Sequence, residues 1–405
     1  MPPADWGLST PSLLDVYLDA RPNDRVRGFA LGRLTSDPSL ATAGLDLAGR
    51  PVSRPQTRAV LDQLYVNFDL ARTVFVTAGK QHVKWGTGRF WNPADFLHPV
   101  RRDPLAQFDD RTGVTMVRAH LPWEARGWNL YAAAVLEDLA GDAAGAAPGT
   151  IGQVGGAARA ELVLGGAEVA ASAAAQRGHA PRFGLDGSFA LWELDVTGEL
   201  ALTRGRDVPA FRPTGADPAT LAGWARAPDG RTTPQAVVGV AWSWKYSDED
   251  ALTLGGEYFF NDAGYDDAHA YPVLIASPYL HLLDVAAPFE PDPRTAFTPF
   301  YLGRHYAGAF LTLPRPGRWN DTTLTLSALV NLSDGSGLVR VDHQVLLNTY
   351  LTLETWLAGH LGKEGGEFRM GFDVGPQPLA GGGSTPGFSL PTPVLDLGVA
   401  LRVKL

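Results

Sequence analysis

The 405-residue chain contains no cysteine, which excludes a disulfide framework and thiolate metal sites. It also lacks any apolar run of roughly eighteen residues, so no transmembrane helix is expected. No basic run offsets the formal net charge of −9, and this argues against a nucleic-acid partner. The start, MPPADWGLSTPS, shows neither the basic region nor the apolar stretch of a signal peptide. The 9 histidines are scattered without ligand spacing, so no metal and no cofactor are expected. The segment NDAGYDDAH, Asn261 to His269, holds oxygen donors but lacks the ordered spacing of a calcium loop. No G-x-S-x-G elbow is present, and no enzyme is expected. A hydrolase embedded in a barrel stays open as a minor alternative, because its residues could lie far apart in sequence.

What is present is alternation. In TTLTLSALVNLS, Leu324, Leu326, Ala328, Val330 and Leu332 share one face. Thr323, Thr325, Ser327, Asn331 and Ser333 share the other, and only Leu329 interrupts it. Successive strand side chains point to opposite faces, so such a segment is greasy on one side and wet on the other. ELDVTGELALTR, QAVVGVAWSWKY and the terminal VLDLGVALRVKL follow the same rule. The pattern predicts strands near 12–20, 25–34, 60–70, 72–84, 112–122, 127–137, 158–164, 167–176, 182–191, 193–204, 235–246, 250–260, 300–313, 321–333, 337–346, 350–361 and 393–405. Many run about ten or more residues, the length of a tilted strand crossing a bilayer. The alanine-rich stretch around Gly165-Gly166 reads as a hairpin with those glycines at its turn.

Connections alternate between short turns and long loops. That is the asymmetry of an outer-membrane barrel, with short periplasmic turns and long extracellular loops. Hydrocarbon cannot satisfy backbone N–H and C=O groups, so a spanning sheet closes on itself, apolar outside and wet within. The expected fold is therefore all-β: a single domain over 1–405, a closed antiparallel transmembrane β-barrel of about 16–18 strands. A soluble sandwich is the structural competitor. The first readable strand ends at a short turn, as does the last, so an even count needs one more strand. A signal peptide and a first strand upstream of this chain are expected on that parity.

Between the strands, GKQHVKWG (Gly79 to Gly86) followed by NPADFLHP (Asn92 to Pro99) and the pair Gly113-Val114 resembles bacterial outer-membrane porin-like β-barrels. These include alginate-exporter-like and related uncharacterised barrels. The positions that carry the resemblance are Gly79, Lys80, Gln81, Val83, Trp85, Gly86, Asn92, Pro93, Asp95, Gly113 and Val114. GGEYFFNDAGYDD, Gly255 to Asp267, is similar to a late strand and loop of the same barrels. The resemblance implies architecture and says little about cargo. The terminal residue, Leu405, departs from the phenylalanine with which such barrels often end.

Three groups of candidate residues follow. The early strands put Arg25, Arg27, Arg33, Lys80, His82, Lys84, Arg118 and His120 on the wet face, a basic wall. The middle strands put Glu161, Glu168, Asp186, Glu193, Asp195, Glu199 and Glu257 there, an acidic wall. Segregated walls would set a field across the lumen; the plainer alternative is that mixed charges pair. The segment 85–111 holds Trp85, Arg89, Trp91, Asn92, Asp95, Arg101 and Arg102. Its aromatics favour folding inward as a constriction, against the alternative of a cap on the rim. These features imply an outer-membrane channel for small hydrophilic solutes. The alternatives are a plugged structural or ligand-binding barrel and the minor hydrolase. Expected partners are outer-membrane lipid, a small hydrophilic solute, and a homo-oligomer or envelope complex.

Overall fold

The computed structural model describes residues 9–39, 43–45, 51–53, 55–106, 111–136, 153–216, 223–228, 230–277, 297–376 and 388–403. Residues 137 and 404–405, the ends of the strands expected over 127–137 and 393–405, lie outside the described residues.

Seventeen strands form one antiparallel sheet. In chain order they are β1 (Ser12–Asn23), β2 (Val26–Ser36), β3 (Thr57–Leu70), β4 (Val74–Gln81), β5 (Val114–Trp123), β6 (Trp128–Val135), β7 (Gly155–Leu164), β8 (Ala167–Ala175) and β9 (Arg182–Leu191). There follow β10 (Leu194–Arg204), β11 (Thr232–Lys245), β12 (Ala251–Asn261), β13 (His305–Pro314), β14 (Thr322–Asn331), β15 (Ser336–Asn348), β16 (Leu351–Gly362) and β17 (Leu395–Val403). Each strand pairs with its sequence neighbour throughout. The alanine-rich zone is the β7–β8 hairpin, turning at Gly165-Gly166. One short helix, α1 (Tyr271–Ala276), lies in the connection between β12 and β13. No helix among the described residues is long and apolar enough to cross a membrane.

Two expectations need correction. Closure is not seen: no ladder joins β1 to β17 among the described residues. The reason is geometric. In an antiparallel meander of odd count the first and last strands run the same way, so they cannot continue the antiparallel pattern. The strand expected over 72–84 stops at Gln81, and the one expected from 300 begins only at His305. Residues 82–84, 112–113 and 300–304 belong to connections instead.

The faces are sorted as the alternation demands. Along β17, Leu395, Leu397, Val399, Leu401 and Val403 are all exposed, Leu397 at 71%. On β9, Phe183, Leu185, Phe189 and Leu191 are likewise exposed, while Gly184, Asp186 and Ser188 take the opposite face. A contiguous exposed band of this kind calls for lipid. Trp123 and Trp128 stack edge to face at the short-turn rim, 5.5 Å apart, as interfacial aromatics do.

Candidate functional site

The inner face is occupied by the connection between β4 and β5. From Gln81 the chain turns inward: Val83, Trp85, Phe90, Trp91, Phe96 and Leu97 are all buried. It anchors on two apolar clusters. In the first, Val83, Trp85, Phe96 and Leu97 pack with Val114 and Met116 of β5, Val135 of β6 and Ala201 of β10. In the second, Phe90 and Trp91 pack with Val237, Phe259, Tyr306, Phe310 and Leu329 on β11 to β14. Trp91 is 0% exposed. Its ring stacks on Phe259 at 5.6 Å, and its Nε1–H donates to the Phe300 carbonyl at 3.0 Å. Burial of each large side chain is worth ~1.5–3 kcal/mol, so the segment is held on both walls and does not cap the rim.

Two wall carboxylates complete the anchorage. Glu199 on β10 accepts the main-chain N–H groups of Thr87 (2.5 Å), Gly88 (2.5 Å) and Ala94 (3.2 Å). Glu257 on β12 accepts those of Arg89, Phe90 (2.8 Å) and Trp91 (3.4 Å). Successive N–H groups aimed at one anion form a nest; here the wall supplies the anion and the loop supplies the nest. The glycines of GTGRFW serve this turn. Gly86 sits at φ 87°, and a Cβ on it would stand 2.6 Å from a Glu199 oxygen.

A polar frame fixes the segment's ends. Asp62 accepts from the Gly113 N–H through its side chain at 3.1 Å and lies 2.8 Å from His82 Nε2. Asp95 pairs with Arg111 at 3.2 Å; burial raises its carboxyl above the ordinary range, and Arg111 opposes that rise. Arg101 lies over Tyr301, 5.3 Å from the ring centroid, and donates to the Asn92 carbonyl at 3.4 Å.

The expected walls are placed as follows. Arg25 pairs with Asp69 at 2.7 Å, Arg27 with Asp19 at 2.8 Å, and Arg33 with Asp15 at 2.9 Å and Asp62 at 3.4 Å. His120 stacks on Tyr131 at 4.5 Å, and Arg118 lies over the same ring. Lys80 stands on the other face. It is opposite Leu64 and Thr115, and Leu64 belongs to the exposed apolar row. On the acidic side, Asp186 and Glu161 share Arg159, at 2.6 and 2.8 Å. Glu168 and Asp195 have no ion-pair partner among the described residues. Glu193 sits in the β9–β10 turn, where the Trp242 Nε1–H donates to it at 3.3 Å. Each wall thus carries its own counter-charges in large part. Asp15 and Asp19 lie in register with the β2 arginine face, a signal that the hairpin pattern contained.

Between the segment and the wall of β14 to β17 lies a cavity of about 650 Å³. Lys84, Arg89 and Arg102 line one side; Thr323, Thr325, Ser327, Asp342, Glu354 and Arg402 line the other. The far wall is internally paired, Glu354 with Arg402 at 2.9 Å and Asp342 with Arg340 at 2.6 Å. Lys84, Arg89 and Arg102 have no ion-pair partner among the described residues. The Arg89 guanidinium lies 3.7 Å over the Phe310 ring. Lys84, Arg89 and Arg102 thus bring three positive charges to one side of the cavity.

At the long-loop rim a second cluster closes over β13 to β16. Asn331, fully buried, donates to Asp334 and Glu367, at 2.9 Å each. Tyr271 of α1 donates to Asp334 at 2.9 Å and Tyr306 to Glu367 at 2.6 Å. Desolvation by burial pushes the Glu367 carboxyl up to about 7, with the Asp334 charge adding to the rise and the Tyr306 and Asn331 bonds opposing it. Burial, followed by the nearby Glu367 and Asp334 charges, raises the Tyr271 phenol as well.

No family model and no curated protein matches the sequence. Solved structures do match. Pseudomonas aeruginosa OccK8 (OprE) aligns over 87% of this chain and 89% of its own, with TM-score 0.50 and 10% identity. Acinetobacter baumannii OccAB4 aligns over 98% and 91%, with TM-score 0.50 and 8% identity. The chain has the fold of the bacterial outer-membrane porins. In that fold an apolar outer band faces lipid and the inner face lines a lumen.

Proposed function

We propose that the chain is a passive outer-membrane channel for small hydrophilic solutes, with a preference for anions. The observation that carries the reading is the cavity of about 650 Å³ flanked by Lys84, Arg89 and Arg102, three cations without ion-pair partners among the described residues. A solute moving along it meets hydroxyls of Thr323, Thr325 and Ser327 on one side and uncompensated positive charge on the other. Hydroxyls replace part of the hydration shell, and the charges set the sign of the preferred ion. The segment 82–113 acts as the constriction and sets size. No reaction is involved. The partners are the surrounding lipid and the solute.

A second reading is a plugged barrel, and anchorage of the segment on both walls favours it. Reconstitution in planar bilayers separates the two. A channel gives stepwise conductance and, under a salt gradient, a reversal potential on the anion side. Silent bilayers that contain folded protein would leave the plug.

A further inference from the structure

We propose that Glu257 is a positioning residue for anion preference. It holds Arg89 in the passage through the main chain, so that an acidic side chain sustains selection for anions. The inference rests on the channel reading given above.

Glu257 stands opposite Gly239 on β11 and Gly308 on β13. Neither neighbour has a side chain to compete for its carboxylate; Thr197 Oγ1 stands over Gly239 and the Phe90 ring over Gly308. The N–H groups of Arg89, Phe90 and Trp91 all donate to Glu257. The Arg89 side chain goes elsewhere. Its guanidinium forms no ion pair among the described residues, and it lies on Phe310 at the edge of the cavity that Lys84 and Arg102 also line. Glu257 therefore grips Arg89 by its backbone and leaves its cation facing the passage. Three N–H dipoles converge on the carboxylate.

Two physical pictures now predict opposite signs. If Glu257 acted on ions through its charge, removing that charge would strengthen anion preference. If it acts by holding the loop tip, removing its charge frees the tip. Arg89 then leaves the passage and the bore widens, so anion preference falls. Glutamine in its place offers one acceptor oxygen and presents an amide that itself donates, against three converging donors.

The test uses the whole barrel in planar bilayers under a salt gradient, with heat-modifiable migration as the check on folding. Glu257→Gln should enlarge the conductance step and move the reversal potential toward the cation side. Arg89→Gln should move the reversal potential the same way, and the double variant should move it no further than Arg89→Gln alone. Phe90→Ala removes an anchor of the same tip without changing charge and should reproduce both effects of Glu257→Gln; it carries the test if Glu257→Gln does not fold. A shift toward the anion side in Glu257→Gln would overturn the proposal, as would a step unaltered in both tip variants. Wild-type channels without anion preference would instead overturn the functional reading on which it rests.

Discussion

Phe90 occupies the space in which a side chain on Gly308 would stand: a Cβ there would lie 2.7 Å from the Phe90 Cδ2. Glycine at this point of β13 is what lets the inserted segment lie flat on the wall. Gly308→Val should leave the strand ladder intact, since β-branched residues suit strands, but it should eject the ring. Overpacking of this kind costs about 1–3 kcal/mol. The expected outcome is a folded, heat-modifiable barrel with a larger conductance step and a lower melting temperature.

Leu329 tests the same packing from β14. It is 0% exposed and sits on the wet face between Ser327 and Asn331, within the cluster that holds Phe90 and Trp91. A charge there has no water and no partner, whereas Thr325, on the same face, lines the cavity. Leu329→Asp should therefore destabilise the barrel by several kcal/mol, and Thr325→Asp by little. Urea unfolding of the two variants side by side checks this, and equal losses would count against burial of Leu329 under the loop.

Leu329 also marks how much the sequence disclosed. The strands were legible because lipid outside and water inside impose a period of two, and that constraint repeats along the whole chain. An apolar residue breaking the wet face was legible too, as an irregularity. Its meaning was not, because it comes from Phe90, far away in sequence. Glu199 and Glu257 could be assigned to the lumen by register alone. Their role could not, because their partners are main-chain N–H groups of the segment around Arg89, and every residue but proline carries one. Lys80 was misplaced for a local reason. Lys80, His82 and Lys84 read as one polar face of a strand reaching 84, but the strand ends at Gln81, and the ladder, unbroken through Gly79, keeps Lys80 on the side of Val76 and Ala78.

Lys80 and Lys84 make a paired test of that register. They are four residues apart in sequence, yet Lys84 lines the cavity while Lys80 shares the Leu64 side of the sheet. Lys84→Glu should shift the reversal potential toward the cation side. Lys80→Glu should leave it unchanged, because Lys80 shares the face of Leu64 and not that of the cavity. A shift from Lys80→Glu as large as that from Lys84→Glu would contradict the assignment of faces.

The rim cluster around Glu367 gives stability a pH dependence whose sign can be worked out. The carboxyl is raised from an ordinary 4.5 to about 7 in the folded protein. Below about pH 4.5 it is protonated in folded and unfolded chains alike, and its favourable contribution is fully present. As pH rises from there to about 7, the unfolded chain ionises first and the folded state loses ground. Above about 7 the contribution is gone, and a charged Glu367 faces Asp334 across the Asn331 amide. The gap of about 2.5 units corresponds to at most roughly 3 kcal/mol, since one unit is 1.36 kcal/mol, and solvent reaching the half-buried side chain reduces it. Tyr306 and Asn331 tie β13 and β14 to this group, and Tyr271 ties α1 to the neighbouring Asp334, so the loss should fall on the mouth of the barrel. The melting temperature in detergent should drop between pH 5 and pH 8 for the wild type and drop less for Glu367→Gln, which cannot ionise. Parallel curves for the two proteins would mean that Glu367 is not the titrating group.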